Sequence, residues 1–284
     1  MMHRLSVLLA GLLVSSMLPS VQTACLADEK ATGEKVKQCA AATPVPNPWT
    51  KRMPRGWWVK RHEQILSAPG RGECQVVFIG DSITDGWDSE NGGLKVWEKE
   101  YVPLKALNLG INCDSTQHVL WRLDHGEVDG LPKLRVAVVM IGVNNKGINR
   151  HKGEDVAAGI KAICGRLQKK VPHARILLLG VFPRRFGRDK NDDVNGIISK
   201  LHDGKQIFYL NINDALLKTK GAIKDRVGHL SEKGYEIWAE QIRPTLKKLM
   251  QGKPRSEAAG TWTRGGTLLS ARRSKPGVDG LLPF

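Results

Sequence analysis

Val76-Val77-Phe78-Ile79-Gly80-Asp81-Ser82-Ile83-Thr84-Asp85-Gly86 is a stretch in which a continuous apolar run leads directly into a glycine-containing turn. Continuous apolarity, unlike an alternating pattern, is typical of a strand buried on both faces, as in a parallel sheet covered by helices. Four later runs have the same character, at 106–109, 136–141, 176–179 and 207–210. The sequence therefore predicts a mainly parallel sheet of five strands.

Amphipathic stretches alternate with these runs. Helices are predicted at 115–123, 153–170, 191–201 and 231–250. This alternation indicates an α/β fold with right-handed crossovers, a three-layer αβα sandwich of the flavodoxin-like kind. In such sheets, functional groups gather at the carboxyl ends of the strands.

The two ends of the chain differ in composition from the middle. A basic start with Arg4, an apolar run from Leu5 to Leu18 and small or polar residues to Ala27 predict a signal peptide over 1–27 and hence an exported protein. An uncleaved anchor, or a lipid on Cys25, remains an alternative. We expect a linker with several prolines at 28–54, one folded domain at 55–250 and a disordered basic tail at 251–284.

Charge and cysteine content limit the expected partners. The formal net charge of +16 is spread along the chain, and no nucleic-acid-binding motif accompanies it, so a solvated basic surface is the simpler interpretation. After signal cleavage four cysteines would remain, in spacings that match no zinc pattern. The four cysteines are Cys39, Cys74, Cys113 and Cys164, and the sequence leaves open whether any of them form disulfides.

Three strand ends and one late loop carry residues suited to acyl transfer. Ser82 follows the first strand on a turn, the segment 108–116 offers loop amides after the second, and Asn144 follows the third. Asp225 and His229 come shortly before the last predicted helix. Each feature alone is an ordinary turn or helix cap. Together they supply a nucleophile, oxyanion donors, a base and an acid at one sheet edge.

These four blocks, in this order, resemble the SGNH/GDSL hydrolase family over about residues 55–250. The segments 116–123 and 234–240 resemble its platelet-activating-factor acetylhydrolase branch. The resemblance implies an SGNH-hydrolase-like sandwich with Ser82 as nucleophile and His229 as general base. It assigns the oxyanion hole to the amides of Ser82 and Cys113 and the side chain of Asn144. It implies no metal and no cofactor, and it is compatible with a homodimer.

Two positions depart from the family pattern. Cys113 stands where family members of this type usually have glycine, so its side chain would crowd the acyl site or require another backbone conformation. The family separates aspartate from histidine by two residues, and at that position this chain has Arg226, a permanent cation. Asp225, one residue further away, is the expected acid if Gly228 absorbs the extra residue in a bulge.

The expected activity is a serine esterase that cleaves a small acyl group, with acetyl as one candidate, from a carbohydrate, a lipid or another alcohol. The expected partner is thus a small ester substrate, with no nucleic acid and no membrane span in the mature form. The alternative is a catalytically impaired member that only binds an acylated or glycan ligand, because both departures affect catalytic parts.

Overall fold

The computed structural model describes residues 39–48 and 56–252, which form an α/β sandwich around a parallel sheet. The strands are β1 (Val76–Gly80), β2 (Ala106–Gly110), β3 (Val136–Met140), β4 (Arg175–Leu179) and β5 (Ile207–Leu210). Their order in the sheet is β2-β1-β3-β4-β5, and all four pairings are parallel. The predicted fold class is confirmed, with each strand within about one residue of its predicted run.

The helices flank this sheet. In chain order they are α1 (Trp57–Leu66), α2 (Ser82–Asp85), α3 (Leu94–Glu100), α4 (Thr116–Asp124), α5 (Val143–Gly147), α6 (Gly153–Lys170), α7 (Asp192–Ile198), α8 (Asn213–Lys218) and α9 (Glu232–Gln251). The predicted helix at 191–201 is α7 followed by a 3₁₀ turn, Ser199–Leu201. The sequence analysis predicts none of α1, α2, α3, α5 and α8; all of these but α1 have seven residues or fewer, too few apolar positions to show a period.

The core explains why the sheet holds its edge residues in place. Every residue of β1 and β3 is buried, as continuous apolarity predicts. On one side Phe78 lies at the centre of an aromatic cluster, with ring centroids 4.6 Å from Tyr101, 5.2 Å from Trp97 and 6.3 Å from Trp238. This cluster packs α3 and α9 against the sheet next to the loop that precedes α9.

Residues 39–48 fall within the predicted linker, but the structure packs them onto the domain. Ala41 is fully buried, and its carbonyl accepts a hydrogen bond of 2.7 Å from the Thr116 hydroxyl. Asn47 is also buried and donates to Asp114 Oδ1 at 3.2 Å. Each of these contacts is a hydrogen bond that involves one residue of the segment. Such contacts produce no periodic pattern of apolar residues, so the sequence does not predict the packing.

Several sequence predictions concern residues outside the described ranges. They are the signal peptide at 1–27, the rest of the linker and the tail from 253 onward, while Gln251 still belongs to α9. Within the described ranges, no helix is both long enough and apolar enough to span a bilayer. The four cysteines predicted to remain after cleavage are all free thiols.

Candidate active site

The turn from β1 into α2 places Ser82 at the carboxyl edge of the sheet. Ser82 is the first residue of α2, and Asp81 caps this short helix by accepting a hydrogen bond of 3.0 Å from the amide of Ile83. The Ser82 Oγ lies 2.9 Å from Nε2 of His229, which reaches it from the loop before α9. The structure thus brings the predicted nucleophile and base into direct hydrogen-bond contact.

The other ring nitrogen of His229 contacts Asp225. The distance from Nδ1 to Asp225 Oδ2 is 2.6 Å. The second carboxylate oxygen accepts from three successive amides, those of Val227, Gly228 and His229, at 2.9, 2.9 and 3.1 Å. Burial favours a higher pKa for this carboxyl, but the bonds from the His229 ring and the loop amides outweigh it, and the pKa of Asp225 lies below its usual value.

Gly228 accommodates the extra residue between acid and base. Its φ is +110°, in the region that favours glycine, and a Cβ here would lie 2.4 Å from the carbonyl oxygen of Pro183. The loop therefore turns back tightly enough for Asp225 to reach His229. Arg226, at the position the family pattern gives to the acid, is exposed, and its carbonyl accepts a bond of 2.8 Å from the amide of Arg185.

The three groups predicted to form the oxyanion hole each have an N–H group available for a ligand. In the part of the chain that the structure describes, the backbone amides of Ser82 and Cys113 make no hydrogen bond. Asn144 is buried at the start of α5, where one hydrogen of its Nδ2 is donated to the carbonyl of Asp114 at 2.8 Å. Its second N–H is left for a ligand, since a carboxamide nitrogen has two.

Cys113 adopts the backbone conformation that a glycine would adopt there. Its φ is +62°, in the left-handed region. The bond of 3.2 Å from Asn47 Nδ2 to the Cys113 carbonyl fixes this peptide from the packed segment 39–48. The thiol lies 3.2 Å from Asn112 Oδ1, and burial, with the nearby Asp114 and Asp81 carboxyls, raises its pKa. A thiol with a raised pKa is a poor competing nucleophile.

An open pocket of about 480 Å³ lies above Ser82 and His229. Its wall includes Tyr235 of α9, whose hydroxyl donates to the carbonyl of Ile83 at 2.7 Å and so ties α9 to the nucleophile helix. The remaining lining is polar and carries both signs of charge: Arg61, Asp85, Gly86, Asp88, Ser89, Gly92, Asn112 and Lys224. Arg61 bonds Asp88 at 2.8 Å, and burial raises the pKa of Asp85 to about 6.

A buried ionic group lies beneath the oxyanion loop. Arg122 of α4 is fully buried; it donates to Asp114 Oδ2 at 2.8 Å, to Glu127 and to the carbonyl of Leu109 at 2.9 Å. Trp58 of α1 donates to the other Asp114 oxygen at 2.7 Å. Burial raises the pKa of Asp114 to about 6 despite these donors. Removing one partner of a buried ion pair leaves the other charge uncompensated, which is strongly unfavourable. The Arg122–Asp114 pair therefore holds in place the loop that carries Cys113.

No pattern in the sequence identifies Asp114, Arg122 or Tyr235 as residues that support the site. The last two lie in the segments that carry the family resemblance, which was the available signal. A second cavity of about 360 Å³ lies at the opposite edge of the sheet, where α9 ends, between residues such as Tyr101, Leu104 and Leu246. None of its lining side chains is a serine, cysteine or histidine. Within the described residues, no group of three His, Cys, Asp or Glu side chains could hold a metal.

The sequence model of the GDSL-like lipase/acylhydrolase family matches residues 78–237. Platelet-activating factor acetylhydrolase IB subunit alpha1 of Homo sapiens is 33% identical over 218 residues, covering 72% of this chain and 91% of that protein. The alpha2 subunit of Rattus norvegicus is 32% identical, covering 69% and 86%. The crystal structure of a GDSL-like lipase from Bacteroides thetaiotaomicron has the same fold, with a TM-score of 0.52, 18% identity, and coverage of 67% of this chain and 96% of that one.

Proposed function

The chain belongs to the GDSL-like lipase/acylhydrolase family and is an ester hydrolase, and from this premise we propose that it removes a small acyl group from an alcohol through an acyl-enzyme on Ser82. The observation that carries this proposal is the continuous chain of contacts from Ser82 Oγ to His229 Nε2, at 2.9 Å, and from His229 Nδ1 to Asp225 Oδ2, at 2.6 Å.

In the first step, Ser82 attacks the ester carbonyl. Because Nδ1–H of His229 donates to Asp225, Nε2 carries the lone pair that accepts the proton of the serine hydroxyl. The carboxylate of Asp225 then stabilises the imidazolium, and its low pKa keeps it charged at neutral pH. His229 passes the proton to the departing alcohol, which leaves the acyl group on Ser82.

In the second step, His229 removes a proton from water as the water oxygen attacks the acyl carbonyl; the bond to Ser82 Oγ then breaks, His229 returns the proton to that oxygen, and the carboxylic acid leaves. Both tetrahedral intermediates place negative charge on the former carbonyl oxygen. The unbonded amides of Ser82 and Cys113 and the remaining N–H of Asn144 are the donors we assign to that oxygen. The mechanism runs with these side chains and water.

We propose a short acyl group, with acetyl as the first candidate. The relatives named acetylhydrolases support this assignment. The alcohol portion is a lipid, a carbohydrate or a smaller alcohol. The alternative of a binding protein without activity is disfavoured, because the two departures in sequence, at Cys113 and Asp225, leave the amide and the carboxylate available.

We also propose that the protein is exported, with residues 1–27 removed as a signal peptide. The basic start, apolar run and small residues before Asp28 support this proposal. Amino-terminal sequencing of the protein recovered outside the cytoplasm should begin at Asp28. Recovery of the intact amino terminus in a membrane fraction would instead indicate an anchor, and a lipid-modified Cys25 would indicate a lipoprotein.

The test of the proposed function is Ser82→Ala, compared with Ser89→Ala. Both serines line the same pocket, but only Ser82 contacts His229. Hydrolysis of p-nitrophenyl acetate should fall by about 10³-fold or more in Ser82→Ala and change little in Ser89→Ala. A fluorophosphonate probe should label the wild type and Ser89→Ala but not Ser82→Ala. Near-wild-type turnover by folded Ser82→Ala would refute the mechanism.

A further inference from the structure

A second loop approaches the catalytic one and ends in an exposed aromatic residue. Residues 184–189 form a tight hairpin, closed by the bridge between Arg184 and Asp189. At its tip Arg185 and Phe186 both have left-handed backbones, with φ of +52° and +54°. This conformation turns the Phe186 side chain outward, where it is 63% exposed. Such exposure of a phenyl ring is unfavourable in water.

The hairpin tip is continuous with the loop that holds the acid and the base. The amide of Arg185 donates to the carbonyl of Arg226 at 2.8 Å. Val227, the next residue and 43% exposed, adds a second outward apolar side chain. Two exposed apolar side chains therefore lie on loops that are bonded to each other, one of which holds Asp225 and His229.

Three arginines lie around the exposed Phe186 side chain. A shallow depression of about 440 Å³ is lined by Arg185, Phe186, Arg188 and Arg226. Across the described ranges, the side chains of these three arginines form no hydrogen bond and no ion pair. Arg184, in the same hairpin, does pair with Asp189 at 3.5 Å. The three cations are thus left for an external anion.

We propose that the tips of these two loops, Arg185–Arg188 and Arg226–Val227, form a docking surface for an anionic lipid bilayer. Arginine side chains pair with lipid phosphates, and basic residues close to an anionic bilayer are attracted to its surface. Phe186 and Val227 enter the boundary between headgroups and acyl chains, which removes their apolar surface from water. Docking brings the catalytic loop to the bilayer surface.

Acidic polysaccharide is the competing anion, and the aliphatic side chain of Val227 argues against it. An arginine cluster serves both anions, but a branched aliphatic side chain such as Val227 offers a sugar ring neither a stacking face nor a hydrogen bond. A hydrocarbon layer accommodates Val227 and Phe186 together. The docking itself is independent of the proposed esterase; only its use, delivery of a lipid-borne ester to Ser82, rests on that function.

Vesicle flotation of the full chain tests the proposal. Binding should be strong to vesicles of phosphatidylcholine with phosphatidylglycerol, at least tenfold weaker to phosphatidylcholine alone, and reduced by salt. Phe186→Ser and the double variant Arg185→Glu/Arg188→Glu should each lower binding at least fivefold. The matched control is Lys169→Glu/Lys248→Glu, which makes the same charge change at the ends of α6 and α9, the opposite edge of the sheet.

Activity measurements separate docking from catalysis. Both tip variants should hydrolyse soluble p-nitrophenyl acetate like the wild type, and Ser82→Ala should bind vesicles like the wild type while hydrolysing nothing. If Ser82→Ala remains active but the tip variants lose binding, the docking surface stands and the proposed mechanism fails. Equal loss of binding in the tip variants and the lysine control would overturn the docking surface. Unchanged vesicle binding in Phe186→Ser, or binding of polygalacturonate in place of vesicles, would also overturn it.

Discussion

The Nδ1 atom of His229 lies 2.6 Å from Oδ2 of Asp225, although the family pattern would place the acid one residue closer. The other oxygen of this carboxylate accepts three loop amides, so the acid is held by the backbone of the loop that it orients. Its position therefore depends on the turn at Gly228. The extra residue between acid and base is tolerated because the loop amides bond the Asp225 carboxylate and hold it beside His229.

Replacing Asp225 with Asn should reduce turnover strongly. The carboxamide cannot supply the charge that stabilises the His229 imidazolium, and its N–H₂ favours the wrong ring tautomer. In triads of this kind the loss reaches about 10⁴-fold. The measurement is kcat on p-nitrophenyl acetate at neutral pH.

The double variant Asp225→Asn/His229→Ala decides whether the two residues act together. Acid and base that act as one unit give strongly non-additive losses. The double variant should therefore be about as slow as His229→Ala alone. Losses that multiply would contradict the triad, and a loss below about tenfold in Asp225→Asn would indicate a Ser–His dyad.

Asn144→Ala should lower kcat far more than it raises KM. Removing one oxyanion donor typically reduces turnover by about 10² to 10³-fold, because that bond strengthens as charge develops. Asn112→Ala is the matched control, since Asn112 lines the pocket that contains Ser82 and is assigned no role at the oxyanion. A change confined to KM would make Asn144 a substrate-positioning residue instead.

Cys113→Gly should keep or raise activity and widen acyl tolerance. Glycine supplies the same amide and adopts a φ of +62° without the strain of a Cβ. A left-handed non-glycine residue is strained by roughly 1 kcal/mol, so stability should be retained as well. Initial rates on acetyl, butyryl and hexanoyl esters, with Cys113→Ala as the control that keeps the Cβ, provide the measurement. Total loss of activity in a folded Cys113→Gly variant would assign a role to the thiol.

Asp81→Asn should flatten the dependence of stability on pH. Burial, aided by Asp114, raises the pKa of Asp81 from 3.8 to about 7 in the folded protein. Between these values the folded state holds a proton that the unfolded state has released, so this group lowers the free energy of unfolding as pH rises. Each pKa unit corresponds to about 1.4 kcal/mol. Urea unfolding at pH 4.5 and pH 8 should show the variant gaining at least about 1 kcal/mol relative to wild type at the higher pH; parallel curves would contradict this.

The strands and long helices were predictable because strands buried on both faces leave continuous apolar runs, and amphipathic helices leave apolar residues at helical spacing. The run at 136–141 became β3, and 153–170 became α6 without change. Ser82, Asn144 and His229 could be proposed for the same reason, since each follows or precedes a readable element. Their meeting at one edge follows from the parallel topology.

The supporting residues could not be found from local pattern. The Arg122–Asp114 pair joins α4 to the oxyanion loop, and Asn47 reaches that loop from a segment with linker-like composition. Each of these contacts depends on a single side chain, so it produces no periodic pattern in the sequence. The hairpin with Phe186 also leaves no pattern in the sequence, because an exposed tip has no core-facing residues.

Gly228→Ala should damage both activity and stability through the turn that positions the triad. A Cβ at this residue would lie 2.4 Å from the Pro183 carbonyl oxygen. Because that oxygen belongs to the backbone, the main chain at Gly228 or Pro183 must shift to relieve the contact. Alanine is also strained at a φ of +110°. Because the Gly228 amide bonds Asp225 Oδ1 at 2.9 Å, the displaced loop misorients the acid and His229. We expect kcat to fall by about 10²-fold, as for misplacement of about 1 Å in other catalytic groups.

The matched control for this prediction is Gly221→Ala. Gly221 also has a positive φ, +81°, but a Cβ there would meet no atom within 4 Å. This variant therefore carries backbone strain without the clash and without contact to the triad. Thermal unfolding should show both variants destabilised, Gly228→Ala more so, whereas kcat on p-nitrophenyl acetate should fall only in Gly228→Ala. Equal kcat in the two variants would mean that the acid–base pair does not depend on the tight turn at Gly228.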